Sequence, residues 1–349
     1  MATSTQVGGV RRRIESYPAD SLKFDLFVAV LGFYVLCGLF LDGWAHNHGE
    51  VDNTFFTSWH AVLYSGFGFV ALTLATTQFI NVLKGHTWVR AMPRGYGLAL
   101  LGVLIFGAGG GFDMLWHSLF GFEADIQALL SPAHLVLATG ALLFLSAPLR
   151  AAWLRKDVQG GWTKLLPAMI SLICVFMVLT FFTQYSHYFS SPYDLIDSPR
   201  ADHYAVVYNI YNFLTPALLL MGTLLLVMRR WELPRGFLTV LMIVQTALMF
   251  WLRNRDIVDF PPLLIAPVVA GIIGDALLLW LKPSVERVAA LRVFSFLMPF
   301  MVSLLYFALL IPLYGTHWPI HMWLGVTFMS GFVGLFLSYL SVPPAIPQE

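Results

Sequence analysis

The sequence predicts an all-α fold, a polytopic transmembrane helical bundle of about ten spans with both termini cytoplasmic. Composition, recurring apolar runs and the sidedness of basic residues predict it. Hydrophobic residues make up 58% of the 349 residues and charged residues only 11%. A soluble domain carries about a quarter charged residues, so this chain is too poor in charge to clothe a water-facing surface. The two cysteines, Cys37 and Cys174, both lie in apolar runs and suggest no disulfide framework.

Residues 1–23 form a cytoplasmic N-terminal segment with Arg11, Arg12 and Arg13. The apolar run Phe24–Leu41 has no small-residue cleavage site. Its eighteen residues, at about 1.5 Å each, cover roughly 27 Å, close to a bilayer core. It therefore reads as an uncleaved first helix. The remaining spans follow at 57–83, 94–116, 132–153, 163–187, 206–229, 234–252, 261–281, 289–313 and 319–340, after a first span at 24–42. Together residues 24–340 make a single transmembrane domain with an internal repeat (24–83 and 94–153), followed by a cytoplasmic tail, 341–349. Short connections leave no room for a soluble insert.

Assigning Lys and Arg to alternate sides puts seventeen on one side. Only Arg200, Arg253 and Arg255 fall on the other. That bias sets the basic side, and with it both termini, in the cytoplasm. The opposite side holds every histidine except His86. The orientation rule concerns Lys and Arg and gives imidazoles no reason to segregate.

A carboxylate–imidazole pattern occurs twice on that histidine side. The first copy runs Asp42-Gly-Trp-Ala-His46, then Glu50, then Thr57-Ser-Trp-His60; the second runs Asp113-Met-Leu-Trp-His117, then Glu123, then Ser131-Pro-Ala-His134. Positions i and i+4 share a helix face, which sets Asp42 beside His46 and Asp113 beside His117. Thr57 and Ser131 are good N-cap residues, and Pro132 suits the first helical position. His60 and His134 then lie in first turns, where the helix dipole disfavours imidazolium and leaves the neutral, metal-binding form. Gly66 and Gly140 each follow six residues later and would allow close helix contact.

Mixed nitrogen and oxygen donors favour a transition metal, with copper, zinc and iron all acceptable. Two mononuclear sites and one dinuclear site remain equally open. Glu50 and Glu123 are candidate further ligands, outer hydrogen-bond partners or proton carriers. His317 and His321 are candidates to close the site or line its entrance. His48, His187 and His203 are additional imidazoles on that side, and His86 reads as a surface residue. Asp275 lies deep in the eighth span, where a carboxylate is costly. It suggests a proton path or a hydrogen-bonded pair with Gln245 or a helix-end hydroxyl. Trp44, Trp59, Trp116, Trp318 and Trp323 form an interfacial belt or wall a pocket beside the metal. The plain alternative for each Asp–His pair is a helix-end capping device.

The string Asp42-Gly-Trp-Ala-His46, followed by Asp52, Phe55, Phe56, Thr57 and His60, resembles the copper-site segment of the C subunit of particulate methane and ammonia monooxygenases. The resemblance implies Asp42, His46 and His60 as ligands near the outer membrane face. Asp113, His117 and His134 follow only through the internal repeat. It further implies copper, dioxygen, hydroxylation of a small apolar substrate, and other membrane subunits as partners. The spacing between the histidines departs from the family pattern, and the chain carries no soluble copper-binding domain.

The leading expectation is an integral membrane metalloprotein of a bacterial or archaeal cytoplasmic membrane, a copper-dependent oxygenase or oxidase with its site toward the extracytoplasmic face. Its catalytic residues are unassigned. The alternatives are a metal-ion or proton-coupled transporter, and haem binding through paired histidines. No phosphate loop, dinucleotide fingerprint, zinc-protease helix motif or nucleic-acid patch occurs.

Overall fold

A hydrocarbon solvent leaves each backbone amide to its own segment, and the long apolar runs are helical. The computed structural model describes residues 14–50, 56–121, 125–156, 160–190, 192–196 and 203–344. In chain order the helices are α1 (Leu22–His48), α2 (Ser58–Leu83), α3 (Gly97–Phe120), the short α4 (Asp125–Leu130), α5 (Pro132–Leu145) and α6 (Ala147–Leu154). There follow α7 (Trp162–Phe182), the short α8 (Pro192–Ile196), α9 (His203–Met228), α10 (Phe237–Leu252) and the short α11 (Asn254–Ile257). The chain closes with α12 (Ile265–Leu281), α13 (Val288–Tyr314) and α14 (Ile320–Ser341).

Nine helices among the described residues are long and apolar enough to cross a membrane, with α5 and α6 counted as one span. The expected stretch 234–252 gives α10, a helix of only 16 residues. At about 1.5 Å per residue it covers roughly 24 Å, short of a bilayer core. It is nevertheless tied to neighbouring helices at both of its ends. Its first turn is held by Asp275 of α12, and its last carbonyl, Leu252, accepts a 3.1 Å hydrogen bond from Asn47 near the end of α1.

The two copies of the repeat fold as two helix pairs, α1 on α2 and α3 on α5. Both pairs close on glycine, and at matching places. A Cβ at Gly38 would meet Leu63 Cα at 2.7 Å, and one at Gly109 would meet Leu137 at 3.1 Å. A Cβ at Gly66 would meet Val35 at 3.2 Å, and one at Gly140 would meet the Phe106 amide nitrogen at 2.6 Å. In each copy the contact lies within two turns of the Asp and His residues, so small residues let the helices approach where the chemistry sits. Span α7, apolar on every face, is buried behind both pairs. The second half wraps the far side, with α14 against α9 and α13, and α10 against α12.

The expected span 163–187 ends earlier, at Phe182, because Thr183 leaves the helix and Gln184–Ser186 forms a 3-10 turn. That turn brings His187 inward. Its Nδ1 accepts from the Phe189 amide at 3.2 Å, and Nε2 lies 3.0 Å from the Gln245 side-chain amide. His187 is therefore core rather than a ligand. Burial, reinforced by the charge of Arg253, lowers its pKa to about 3. An unfolded histidine titrates near 6.5, so the unfolded chain takes up the proton first. The resulting stability is complete above about pH 6.5 and declines as pH falls toward 3. His187→Gln is expected to flatten the unfolding midpoint across that window, as read by thermal melts at stepped pH.

Candidate metal centre

Each triad is assembled by one helix end and the next helix start. Gly49, in the left-handed region at φ 70°, ends α1 and ties its amide to Ala45 and His46. Asp42 and His46 thereby remain helical, one turn apart. Across the connection, Thr57 caps α2 by accepting from the His60 amide at 3.1 Å. In the second copy Gly121, at φ 82°, returns its amide to the His117 carbonyl, and Ser131 accepts from the His134 amide at 3.3 Å. The predicted caps are the actual ones, and they aim His60 and His134 back at the preceding helix.

Within each triad one donor atom per residue lies within 4.8 Å of the others, giving Asp42–His46–His60 and Asp113–His117–His134. His60 Nε2 is 3.4 Å from Asp42 Oδ1. His117 Nε2 and His134 Nε2 are 3.3 Å and 3.1 Å from the same oxygen, Asp113 Oδ1. Two metal–ligand bonds of about 2.0–2.1 Å at a tetrahedral angle separate their donors by about 3.3 Å. The spacing fits a shared ion.

The second triad carries a further constraint. His117 Nδ1 lies 3.2 Å from the Gly121 carbonyl, and His134 Nδ1 contacts the Ala128 carbonyl of α4. A carbonyl only accepts, so each Nδ1 carries the proton. In neutral imidazole Nε2 is then a lone pair, and two lone pairs face one buried carboxylate oxygen. Such a cluster needs protons or a cation to hold it together. Outward Nδ1–H donation to a carbonyl is also how metal-bound histidines are oriented. In the first triad, His46 Nδ1 is buried and meets no hydrogen-bond partner among the described residues.

Both triads open on one cavity of about 70 Å³, lined by Asp42, His46, His60, Asp113 and His134. Its apolar wall includes Leu36, Phe106, Leu137, Phe181 and Phe182. Tyr64, one turn past His60, faces it too, and Asn47 and Gln184, joined at 2.7 Å, close its rim. Tyr64 was missed in the sequence, although its i+4 spacing to His60 could have marked it. Asn47 and Gln184 were not, because nothing in the sequence couples α1 to the turn after α7.

Other expected residues stand elsewhere. Glu123 lies outside the described residues. Glu50 is exposed, and its backbone carbonyl accepts from the Trp59 indole at 3.1 Å. His317 and His321 are exposed and do not line the cavity. His48 has both ring nitrogens engaged, Nδ1 with the Trp44 carbonyl and Nε2 with the Asn254 side chain. Instead of lying free at the surface, His86 is half-buried beneath the N-terminal segment, where Nδ1 meets the Ser16 carbonyl at 2.8 Å. None of the five tryptophans lines the cavity; its rings are phenylalanine and tyrosine. Trp44 instead stacks on His48, and Trp318 is buried on Phe307.

Asp275 caps α10. Its carboxylate accepts from the Leu238 and Thr239 amides at 3.2 and 2.9 Å and from the Thr239 hydroxyl at 2.6 Å. The partner is thus a helix-end hydroxyl with two amides, rather than Gln245.

No protein-family model, curated protein or solved structure matches this chain. The chain's architecture and triad geometry are what bear on its function.

Proposed function

We propose that this is an integral membrane metalloprotein in which Asp42, His46, His60, Asp113, His117 and His134 hold a transition metal. The observation that carries this reading is the convergence of two Nδ1-protonated imidazoles, through Nε2, on the single buried oxygen Asp113 Oδ1. Copper is the first choice, from the resemblance of the Asp42–His60 segment to the copper-site segment of methane and ammonia monooxygenases. Iron and zinc accept the same donors. On that reading the site faces the extracytoplasmic side, opposite the basic residues.

The activity we infer is oxygenase or oxidase chemistry on a small apolar substrate. The bound metal would supply dioxygen activation. The protein's own part is to orient the imidazoles through the Gly121 and Ala128 carbonyls, to exclude bulk water, and to offer an apolar wall. Leu36, Phe106 and Phe181 give a small hydrocarbon contact and offer it no hydrogen bond.

Transport is less well supported. The capping role of Asp275 removes the deep carboxylate that suggested an ion route. Haem is less well supported as well, because axial ligation by a pair of histidines does not need the carboxylate that each triad carries.

Elemental analysis of the purified full chain tests the metal reading. Stoichiometric metal is expected in the parent, and a loss of at least one equivalent in both Asp42→Ala and His117→Ala. Equal metal content in all three proteins would defeat the assignment of these ligands.

A further inference from the structure

We infer that the two triads act as one dinuclear centre, with a small anionic ligand bridging two ions across the cavity between them. This rests on the metal reading above and goes beyond it in nuclearity and in the class of ligand bound.

The triads interleave. The His46 ring is 6.5 Å from the His134 ring of the other triad, hardly farther than the 6.3 Å to His60 of its own. The His134 ring is in turn 5.7 Å from His117. Asp42 lies within electrostatic reach of Asp113, His117 and His134 as well as His60. Members of both triads line the same cavity.

Charge and coordination point to the bridging ligand. Each triad supplies three donors, which leaves at least one position open on a four-coordinate ion. Members of both triads face the same space, so the open positions converge there. Two divalent ions against the carboxylates of Asp42 and Asp113 leave a net charge of about +2 among apolar walls, where an unbalanced charge is costly. An anion shared between the ions reduces that cost. A water needs roughly 10–15 Å³ of such space, so a cavity of about 70 Å³ has room for a ligand of a few heavy atoms. Hydroxide and azide fit this class, and so does dioxygen in reduced form.

Copper(II) and azide are the probes. The full chain, purified in detergent and stripped of metal, is titrated with copper(II) and followed by electron paramagnetic resonance. The expected result is two coppers per chain, a spin count well below two, and a half-field transition from the coupled pair. Azide is then expected to saturate at one per two coppers. Asp113→Asn is expected to bind a single copper with a full spin count and no half-field signal. Two coppers with two full spins, no half-field signal and one azide per copper would establish independent sites and overturn the proposal. A single copper in the parent would overturn it too. No copper at all would instead sink the metal reading on which it rests.

Discussion

Asp113→Ala is expected to remove one metal equivalent and to weaken binding at its triad by at least about 100-fold, since even partners one shell out are worth about 10–100-fold in affinity. The reason is geometric. Asp113 is almost fully buried, and Oδ1 is the point on which two imidazole Nε2 atoms converge. Without it His117 and His134 keep their carbonyl partners but lose the only anionic donor in the triad. The metal-free protein should behave differently. There protons take the cation's place between the carboxylate and the two imidazoles, and removing one partner of a buried pair is destabilising. The apo variant should therefore unfold below the parent's temperature. The metal-dependent rise, about 2.7 kcal/mol for one site at a hundredfold excess over Kd, should disappear for that site. Calorimetry with and without metal, beside a copper titration, separates the two effects. A fall in apo stability with metal content and the metal-dependent rise both unchanged would instead mark Asp113 as a structural ion-pair partner alone.

Gly140→Leu is the second large effect. A Cβ at this position would stand 2.6 Å from the Phe106 amide nitrogen, 2.8 Å from the Gly102 carbonyl oxygen and 2.9 Å from Phe106 Cα. These are backbone atoms, so no rotamer change relieves the clash and α3 must separate from α5. Overpacking of this kind costs about 1–3 kcal/mol, and more where the backbone has to move. His134 lies six residues before Gly140 on the same helix, and Asp113 is on the helix pushed away. Separation therefore pulls the second triad apart, and we expect one metal equivalent to be lost along with a lower melting temperature. Gly111→Ala is the control: a Cβ there meets nothing within 4 Å. It should leave metal content intact and stability unchanged or slightly raised. Equal behaviour of the two variants would mean that the α3–α5 contact does not set the site.

Local rules explain why so much of the triads was legible. Asp42 with His46, and Asp113 with His117, follow from helical periodicity. Thr57 and Ser131 follow from the hydrogen-bonding demand of a helix start, and Gly66 and Gly140 from the close approach they permit. What stayed hidden depends on contacts between distant segments. The cavity wall draws Phe181 and Phe182 from α7, a span without a single residue that announces chemistry. The tryptophans suggested themselves as a wall by their place in the sequence, yet Trp44 packs on Trp59 and His48, Trp318 and Trp323 on Phe307, and Trp116 on the exposed Phe112 and Phe120. The inward turn of His187 depends on Gln245, 58 residues away. For Asp275, a carboxylate within an apolar run reads alike whether it moves protons or holds a helix start. Only the neighbouring amides of Leu238 and Thr239 distinguish the two.

The measurement closest to the central claim is X-ray absorption at the edge of the bound metal in the intact chain. Asp–His–His coordination predicts a first shell of nitrogen and oxygen at about 2.0–2.1 Å, with outer-shell scattering from two imidazoles per ion. That imidazole signal should fall when His117 and His134 are both replaced by alanine. A spectrum without imidazole scattering, or one unchanged in the double variant, would show that the triads are not where the metal binds.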